Sequence, residues 1–346
     1  YGLRISTDKL RLIGKVREGE GDSGKVRLIA NGDQETGVLA APAGCEYDMD
    51  AEECEEAIGG EIVPLKKFYI RGFSVEEFPV NGIQTRWVDG FEFVRNESAN
   101  NLNNGIYPTL SANGLVRNNE SYGSLDTAMW IAGSENVRVL ANELHSSVIG
   151  FEITVSNEVR VRYNQIYGNS VGIGLFHPNG AGNPPLPVME NWIIKQNDVY
   201  DNNLTPNPAP EGTFQADLPP GIGILLLGVS DHEVLKNNVE GHDAVGIGIL
   251  GWCTSLLGTP RECDPPDGSG LRGPPQANNN RVYKNYVYGN GGNPGEDFPL
   301  PGADMLYAQF EEDAGGNCFE QNSPKGEFTT FSTEPDGELP TDGCAP

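Results

Sequence analysis

Three side chains suited to sugar binding or catalysis occupy the same position of a repeating sequence. Tyr107, Trp130 and Glu152 follow one another at intervals of 23 and 22 residues. If each interval is one turn of a solenoid, they lie side by side, because neighbouring strands are about 4.8 Å apart. Aromatic rings pack on the apolar faces of sugars, and a carboxylate accepts hydrogen bonds from hydroxyl groups. The spacing predicts a solvent-filled groove with Glu152 and Tyr107 as catalytic residues and Trp130 as a substrate contact.

Three further residues are expected at the edge of this groove. Arg86 and Phe176 are predicted substrate contacts, and His177 at a strand end is a predicted catalytic residue. Elimination from a uronate would use Tyr107, His177 or Arg86 as base and charge neutraliser, because the enolate needs a cation beside it.

Hydrolysis would instead need two carboxyl groups, and Asp126 is the candidate partner of Glu152. The two differ by four positions along the repeat, which is about 13 Å on a straight strand. An inverting glycosidase needs a separation of about 6.5–9.5 Å. The pair therefore requires a bend at Asp126, and a turn-capping role is the alternative for this residue.

The elements that would position these residues follow from a repeat of small residues. The repeat begins at Gly82, Gly105, Ala128, Gly150 and Gly172, and an asparagine follows fourteen positions after the first four, at Asn96, Asn119, Asn142 and Asn164. A fixed period of this length indicates a solenoid. Segments such as VRVLANEL and VRVRYNQIYGN alternate and are β-branched, which is typical of strands. Stacked asparagines can hydrogen-bond along the axis of such a coil.

These motifs resemble the pectate-lyase-like family, and above all the secreted bacterial parallel β-helix repeat proteins. G-I-x-[IL] strands, V-x-x-N turns, YGN, LDTAMWIAGS and GFEITVS carry the resemblance over roughly residues 62–290. It implies an all-β fold: a single-stranded right-handed parallel β-helix (solenoid) with 22–23-residue coils and long loop insertions. The fold hosts lyases, hydrolases, epimerases and inert spikes, so it does not select an activity.

The whole chain, 1–346, is expected to form a single β-helix domain, because the open ends of a solenoid need covers rather than further domains. The expected parts are an N-terminal coil and cap with a disulfide loop at 1–61, regular coils at 62–290 with insertions at 177–190, 204–220 and 251–280, and a C-terminal cap at 291–346.

Strict alternation along the strands predicts two outward columns. The first column reads Gln84, Tyr107, Trp130, Glu152, Gly174, Gly223, Gly248, and the second reads Arg86, Thr109, Ala132, Thr154, Phe176, Leu225, Leu250. The glycines of the first column predict either an open groove floor or a place where an inserted loop lies flat on the sheet.

The net charge of −26, from 49 acidic and 23 basic residues, argues against nucleic acid and anionic membranes as partners. It also argues against an anionic substrate unless a cation or a local basic strip intervenes. Glu97, Glu120 and Glu143 each follow a repeated asparagine, so they should stack and repel. Calcium is one possible neutraliser. The favoured partners are the arginines of the preceding strand, Arg117, Arg138, Arg160 and Arg162.

Six cysteines form three close pairs in sequence, without metal-ligand spacing. Neighbour pairing predicts the disulfides Cys45–Cys54, Cys253–Cys263 and Cys318–Cys344, and hence an extracellular or periplasmic protein; free thiols in a cytosolic protein are the alternative. No run of eighteen apolar residues is present to span a membrane, and we expect a monomer.

The favoured function is that of a secreted carbohydrate-active enzyme, a polysaccharide lyase or glycoside hydrolase that binds a poly- or oligosaccharide along the sheet. Two alternatives stay open. One is a non-catalytic glycan-binding or surface module, and the other is a cyclase or isomerase that acts on a non-carbohydrate substrate.

Overall fold

The computed structural model describes residues 1–14, 24–177, 189–252, 276–296, 298–309, 315–323, 328–341 and 344. The first strands are β1 (Leu3–Ile5), β2 (Arg11–Ile13), β3 (Val26–Ile29), β4 (Val38–Ala40), β5 (Leu65–Arg71), β6 (Phe73–Glu76), β7 (Ile83–Arg86), β8 (Val88–Val94), β9 (Glu97–Ala99) and β10 (Ile106–Thr109), with helix α1 (Ala51–Ile58) between β4 and β5.

The central strands are β11 (Ala112–Arg117), β12 (Glu120–Tyr122), β13 (Thr127–Ala132), β14 (Glu135–Leu140), β15 (Glu143–His145), β16 (Ile149–Thr154), β17 (Asn157–Arg162), β18 (Gln165–Tyr167), β19 (Val171–Phe176) and β20 (Ile193–Lys195). The later strands are β21 (Asp198–Tyr200), β22 (Ile222–Leu227), β23 (Glu233–Leu235), β24 (Asn238–Glu240), β25 (Val245–Leu250), β26 (Arg281–Tyr283), β27 (Tyr286–Tyr288), β28 (Ala303–Ala308), β29 (Cys318–Glu320) and β30 (Thr330–Ser332).

Every third strand pairs in parallel, so the described strands form three long sheets. Sheet A runs β1-β4-β7-β10-β13-β16-β19-β22-β25-β28-β30, sheet B runs β2-β5-β8-β11-β14-β17-β20-β23-β26-β29, and sheet C runs β3-β6-β9-β12-β15-β18-β21-β24-β27. Each turn of the chain adds one strand to each sheet. The predicted all-β parallel β-helix is confirmed, and its strand pairing extends into both terminal segments, since β1–β3 precede residue 62 and β28–β30 follow residue 290.

The interior of the coil contains apolar side chains from all three sheets and a ladder of asparagines between sheets B and C. The ladder consists of Asn96, Asn119, Asn142, Asn164, Asn197, Asn237, Asn285 and Asn322, and each Nδ2 donates to the Oδ1 of the next at 2.9–3.1 Å. The same Oδ1 atoms accept backbone N–H groups from the preceding coil. The ladder thereby pairs backbone groups at a buried turn, where water cannot pair them.

The repeated glycines of sheet A point into the coil, where there is no room for a side chain. A Cβ on Gly150 would lie 2.5 Å from Ile166 Cγ2, and one on Gly172 would lie 2.5 Å from the Gly223 carbonyl oxygen. The next residue, Phe151, is also in the interior core. Two successive inward positions break the alternation, so Ile149 and Glu152, three residues apart, both face outward.

The predicted register of strand β22 in sheet A was wrong by two residues. Ile173 pairs with Ile224, and Gly174 pairs with Leu225. Gly223 therefore lies opposite Gly172 rather than in the outward column, Leu225 takes its place there, and Leu227 lies beside Phe176 in the second column. In the segment GIGILLL, either Ile222 or Ile224 could occupy the position opposite Ile173. The long insertion before this segment interrupts the 22–23-residue period, so spacing could not distinguish the two registers.

The covalent cross-links confirm two of the predicted pairs. Cys45–Cys54 and Cys318–Cys344 are disulfide-bonded, each with 4.9 Å between the Cα atoms. The predicted pair Cys253–Cys263 lies outside the described residues and stays a prediction.

Helix α1 begins inside the first disulfide loop, contains Cys54 and continues to Ile58, in the segment predicted as a disulfide loop. Asp50 and Glu53 form a capping box, in which each side chain accepts the other's backbone N–H at 2.9 Å. The helix exposes most of its residues, AEECEEAI, so it lacks the apolar period that reveals a helix in sequence. Across the described ranges, no helix combines the length and the apolar character that crossing a membrane would need.

Candidate functional site

The outward column of sheet A brings Tyr107, Trp130 and Glu152 together on three successive coils, as the 23- and 22-residue spacing predicts. Trp130 pairs directly with Glu152, and the Tyr107 and Trp130 rings stack at 4.6 Å between centroids and 13° between planes. The indole Nε1 donates to Thr154 Oγ1 at 2.9 Å, which fixes the ring. Because the two rings cover each other, each has at most one face left for a sugar.

Asp126 lies far closer to Glu152 than the straight-strand prediction of about 13 Å. Thr127 Oγ1 is 3.0 Å from Asp126 Oδ1 and 2.8 Å from Glu152 Oε2. The two carboxyl groups therefore have oxygens no more than about 6 Å apart, which is below the separation of about 6.5–9.5 Å that an inverting glycosidase needs. The cause lies in β13 itself, where Ala128 and Met129 are successive inward residues in the interior core. Thr127 and Trp130 therefore both face outward, only three residues apart, and Asp126 and Thr127 lie nearer to Glu152 than strict alternation would place them.

Glu152 does not face open solvent, contrary to the prediction, because only 3% of its surface is exposed. Burial, and then the charge of Asp126, raise the pKa of Glu152 well above its ordinary value. Burial raises the pKa of Asp126 to about 6, against hydrogen bonds from Thr127 and Gln215 that lower it. The pair therefore favours a state in which Glu152 carries a proton while Asp126 ionises near neutral pH.

The single hydroxyl proton of Thr127 is consistent with one protonated and one ionised carboxyl group in the pair. A threonine hydroxyl has one proton to donate and can also accept. Its oxygen lies at hydrogen-bond distance from both carboxyl groups, and both contacts are satisfied if Glu152 is protonated and donates to Thr127 while Thr127 donates to Asp126. Thr127 thus links the two carboxyl groups.

Phe176 and His177 belong to a covered apolar region rather than to an open edge. Phe176 is 2% exposed and meets the Phe214 ring edge-on at 5.3 Å. Its ring covers Gly174, where a Cβ would lie 2.2 Å from Phe176 Cζ, so this glycine is not a groove floor. His177 is 8% exposed, with its ring 6.4 Å from that of Trp252. The outer face of sheet A beyond Glu152 is therefore closed by side chains.

Arg86 anchors the loop that covers the other flank of the site. Its guanidinium donates to the carbonyl oxygens of Tyr47, at 2.7 Å, and Met49, and it lies 4.7 Å from the centre of the Trp87 ring. Burial lowers the pKa of Arg86. The N–H groups that hold this loop are not available to a substrate, so the position does not favour the predicted substrate contact.

Tyr107 is poorly suited to act as a base. Burial raises the pKa of its phenol to about 12, although Thr109 and Arg86 act in the opposite direction. A general base works best with a pKa near the operating pH. The Tyr107 phenol is therefore a weaker candidate for a base than the Asp126 carboxyl group, whose pKa is about 6.

The glutamate row of sheet C is present, but its partners are not the predicted arginines. Glu97, Glu120 and Glu143 pair in register on successive strands. Their contacts are Lys25 Nζ at 2.9 Å and Tyr122 Oη at 3.0 Å from Glu97, His145 Nε2 at 3.4 Å from Glu120, and Tyr167 Oη at 2.6 Å from Glu143. The arginines are on sheet B, around a turn of the coil from these carboxylates. Calcium binding by the row stays an untested expectation.

Two residues of the site were missed in the sequence. Thr127 adjoins Asp126, but its position beside Glu152 depends on the broken alternation at Ala128 and Met129. Gln215 lies in the insertion 204–220, which has no repeat register, so its contact with Asp126 gives no signal in the sequence.

The chain belongs to the right-handed β-helix family: the family model described as "Right handed beta helix region" matches residues 81–259. No curated protein sequence matches the chain. The fold is thus a right-handed parallel β-helix, as the resemblance in sequence implied.

Solved structures with a similar fold include three carbohydrate-related proteins. The periplasmic alginate epimerase AlgG is 14% identical with a TM-score of 0.54, and the match covers 84% of this chain and 59% of AlgG. The mannuronan C-5 epimerase AlgE6 A-module of Azotobacter vinelandii is 12% identical with a TM-score of 0.54, over 91% of this chain and 71% of the module. DFA-IIIase of Arthrobacter chlorophenolicus A6, in complex with GF2, is 11% identical with a TM-score of 0.52, over 87% and 65%.

Proposed function

We propose that the protein is a carbohydrate-active enzyme that cleaves or transfers a glycosidic bond on the outer face of sheet A. The observation that carries the proposal is the linked pair Asp126–Thr127–Glu152, with two carboxyl groups within about 6 Å and both pKa values raised. Two titrating groups whose environments separate their pKa values are the usual basis of an acid–base pair.

In this proposal Glu152 is the general acid. Its proton passes to the glycosidic oxygen as the bond to the anomeric carbon breaks, and the leaving sugar departs as an alcohol. Asp126, ionised, either attacks the anomeric carbon or takes the proton of the attacking hydroxyl group. The short separation favours direct attack with retention of configuration. Water as the attacking group gives hydrolysis, and a sugar hydroxyl gives transfer.

The chemistry of the neighbouring side chains supports a sugar rather than another substrate. Tyr107 and Trp130 are only partly buried beside the carboxyl pair, and aromatic rings of this kind pack against sugar rings. Alginate and mannuronan epimerases share the fold, which is consistent with this substrate class. Elimination is less well supported, because Tyr107 has a raised pKa and Arg86 is engaged by backbone carbonyls.

We also propose that the chain is a single β-helix domain in an extracellular or periplasmic protein. The two disulfides support an oxidising compartment, and the same three sheets continue from the first strands to the last.

The function is tested with a panel of neutral and acidic glycans, with and without EDTA. Release of reducing ends, or a change in chain length, from at least one glycan is expected without absorbance at 235 nm. Proton spectra of the first product would show retention at the anomeric carbon. Absorbance at 235 nm would mean elimination and would contradict the proposed roles. Binding through Trp130 without any product would identify a glycan-binding module instead.

The raised carboxyl pKa values predict a pH-dependent effect of Asp126→Asn on stability. A group whose pKa is higher in the folded protein stabilises it below the unfolded pKa, and this contribution is lost as the pH rises through about 6. The variant should therefore have about the wild-type stability at pH 4 and a free energy of unfolding higher than the wild type at pH 8, by on the order of 1–2 kcal/mol. Thermal unfolding at both pH values checks this, and an equal shift at both would show that Asp126 ionises normally.

A further inference from the structure

The outer face of sheet B carries a concentration of positive charge in an acidic protein. Five cations project from four successive strands, β11, β14, β17 and β20, and we call them the sheet B cation cluster: Arg117, Arg138, Arg160, Arg162 and Lys195. The intervening residues of these strands, such as Val139 and Val161, are fully buried in the core, so the cations point outward.

Like charges in this cluster lie directly opposite each other. Arg138 pairs with Arg160, and Arg162 pairs with Lys195. Directly opposed side chains on neighbouring strands are about 5 Å apart at Cβ, and like charges there destabilise a sheet. Arg160 and Arg162 also share one face of one strand. The arrangement opposes folding unless something else neutralises it.

Nothing in the part of the chain that the structure describes neutralises this cluster. Among the described residues, no carboxylate lies within ion-pair distance of any of its five members. Elsewhere on sheet B, Lys66 forms an ion pair with Asp89 of the neighbouring strand at 2.8 Å. A carboxylate placed in the same way beside the cluster would neutralise its cations. The Nε of Arg162 is buried without a hydrogen-bond partner.

The surroundings of the cluster suit a sugar polymer. A groove of about 560 Å³ on the same face is lined by the cations Lys9, Arg11, Lys67 and Arg138, by Tyr69 and by one carboxylate, Glu92. At the other end Tyr163 adjoins Arg162 and is 56% exposed, which is unusual for an aromatic ring. Aromatic rings pack on sugar faces, and guanidinium groups bind carboxylates through two parallel hydrogen bonds.

We propose that the sheet B cation cluster is a second binding surface, on a different sheet from the carboxyl pair, and that it takes an acidic polysaccharide through its carboxylates. The net charge of −26 repels polyanions from the rest of the surface, so binding is confined to this strip. A strand of uronate residues lying across the coils would meet cations on each of four strands. This surface does not depend on the proposed function. It would bind the protein to an acidic polymer whether or not the carboxyl pair on sheet A is catalytic.

The test uses the full chain, polygalacturonate as the probe and dextran as the neutral comparison, in EDTA. The cluster variant is Arg138→Gln/Arg160→Gln/Arg162→Gln. The matched control is Arg95→Gln/Lys236→Gln/Lys284→Gln, which removes the same charge from three exposed cations outside the cluster. Affinity is measured by titration calorimetry at low and at physiological salt.

Wild type and control are expected to bind polygalacturonate, more weakly as salt increases, and to ignore dextran. The cluster variant should bind at least about tenfold more weakly and melt at a higher temperature, because the opposed charges are gone. The proposal is overturned if the cluster variant keeps wild-type affinity, if the wild type does not bind the polymer, or if it prefers single-stranded DNA or anionic vesicles.

Discussion

Glu152→Gln is expected to lower turnover on the cleaved glycan by about 10²–10⁴-fold, the usual contribution of a general acid. Glutamine has the same size and can still meet Thr127, but it has no acidic proton to give to the leaving oxygen. The same change removes a buried carboxyl group whose ionisation is opposed by burial and by Asp126. The variant should therefore melt at a higher temperature than the wild type at pH 8 while losing activity.

Glu120→Gln is the matched control, because it removes a carboxylate from sheet C, away from the carboxyl pair. It should leave turnover within about twofold of the wild type, as surface substitutions distant from a site usually do. Activity of the wild type should also follow a bell-shaped pH profile, rising as Asp126 ionises near pH 6 and falling as Glu152 loses its proton. Full activity in Glu152→Gln would exclude Glu152 as the acid.

Asn197→Ala is expected to destabilise the protein by about 3–5 kcal/mol, since it breaks four buried hydrogen bonds of about 0.5–1.5 kcal/mol each and leaves a buried donor unpaired, which costs about 1–3 kcal/mol. Asn197 is 1% exposed and belongs to the interior ladder. Its Nδ2 donates to the Val161 carbonyl at 3.1 Å and to Asn237 Oδ1 at 2.9 Å. Its Oδ1 accepts from the backbone N–H and the Nδ2 of Asn164, at 3.0 and 2.9 Å. Alanine removes these four hydrogen bonds and leaves the buried Asn164 backbone N–H without this acceptor, whereas Asn237 Oδ1 keeps the backbone N–H of residue 197 and Asn164 Nδ2 keeps the Val139 carbonyl.

Chemical denaturation followed by far-UV circular dichroism measures this loss. Asn31→Ala is the comparison, because Asn31 is exposed and lies outside the ladder, and it should change stability by less than about 0.5 kcal/mol. A loss of similar size in both variants would mean that the ladder contributes no more than a surface asparagine.

The sequence by itself determined the repeating architecture. The 22- and 23-residue period fixes the register of each coil on the next, and with it the contact between Tyr107 and Trp130. The period also identifies the ladder, because an asparagine that recurs at one turn must meet its copies in the neighbouring coils. Close spacing along the chain was sufficient to pair Cys45 with Cys54. These features are local, or are repeated by a period, and both are visible in a one-dimensional pattern.

Only the tertiary structure decided which chemistry the site supports. Ala128 and Met129 both point inward because they pack in a core that residues of all three sheets form. The resulting break in alternation places Thr127 between Asp126 and Glu152, whereas a straight strand would keep them apart. The cover over Phe176 and the contact of Gln215 with Asp126 come from an insertion without a repeat. Burial raises the pKa values of Asp126 and Glu152. Because the residues that bury them are distant in the chain, these pKa values could not be predicted from spacing in the sequence.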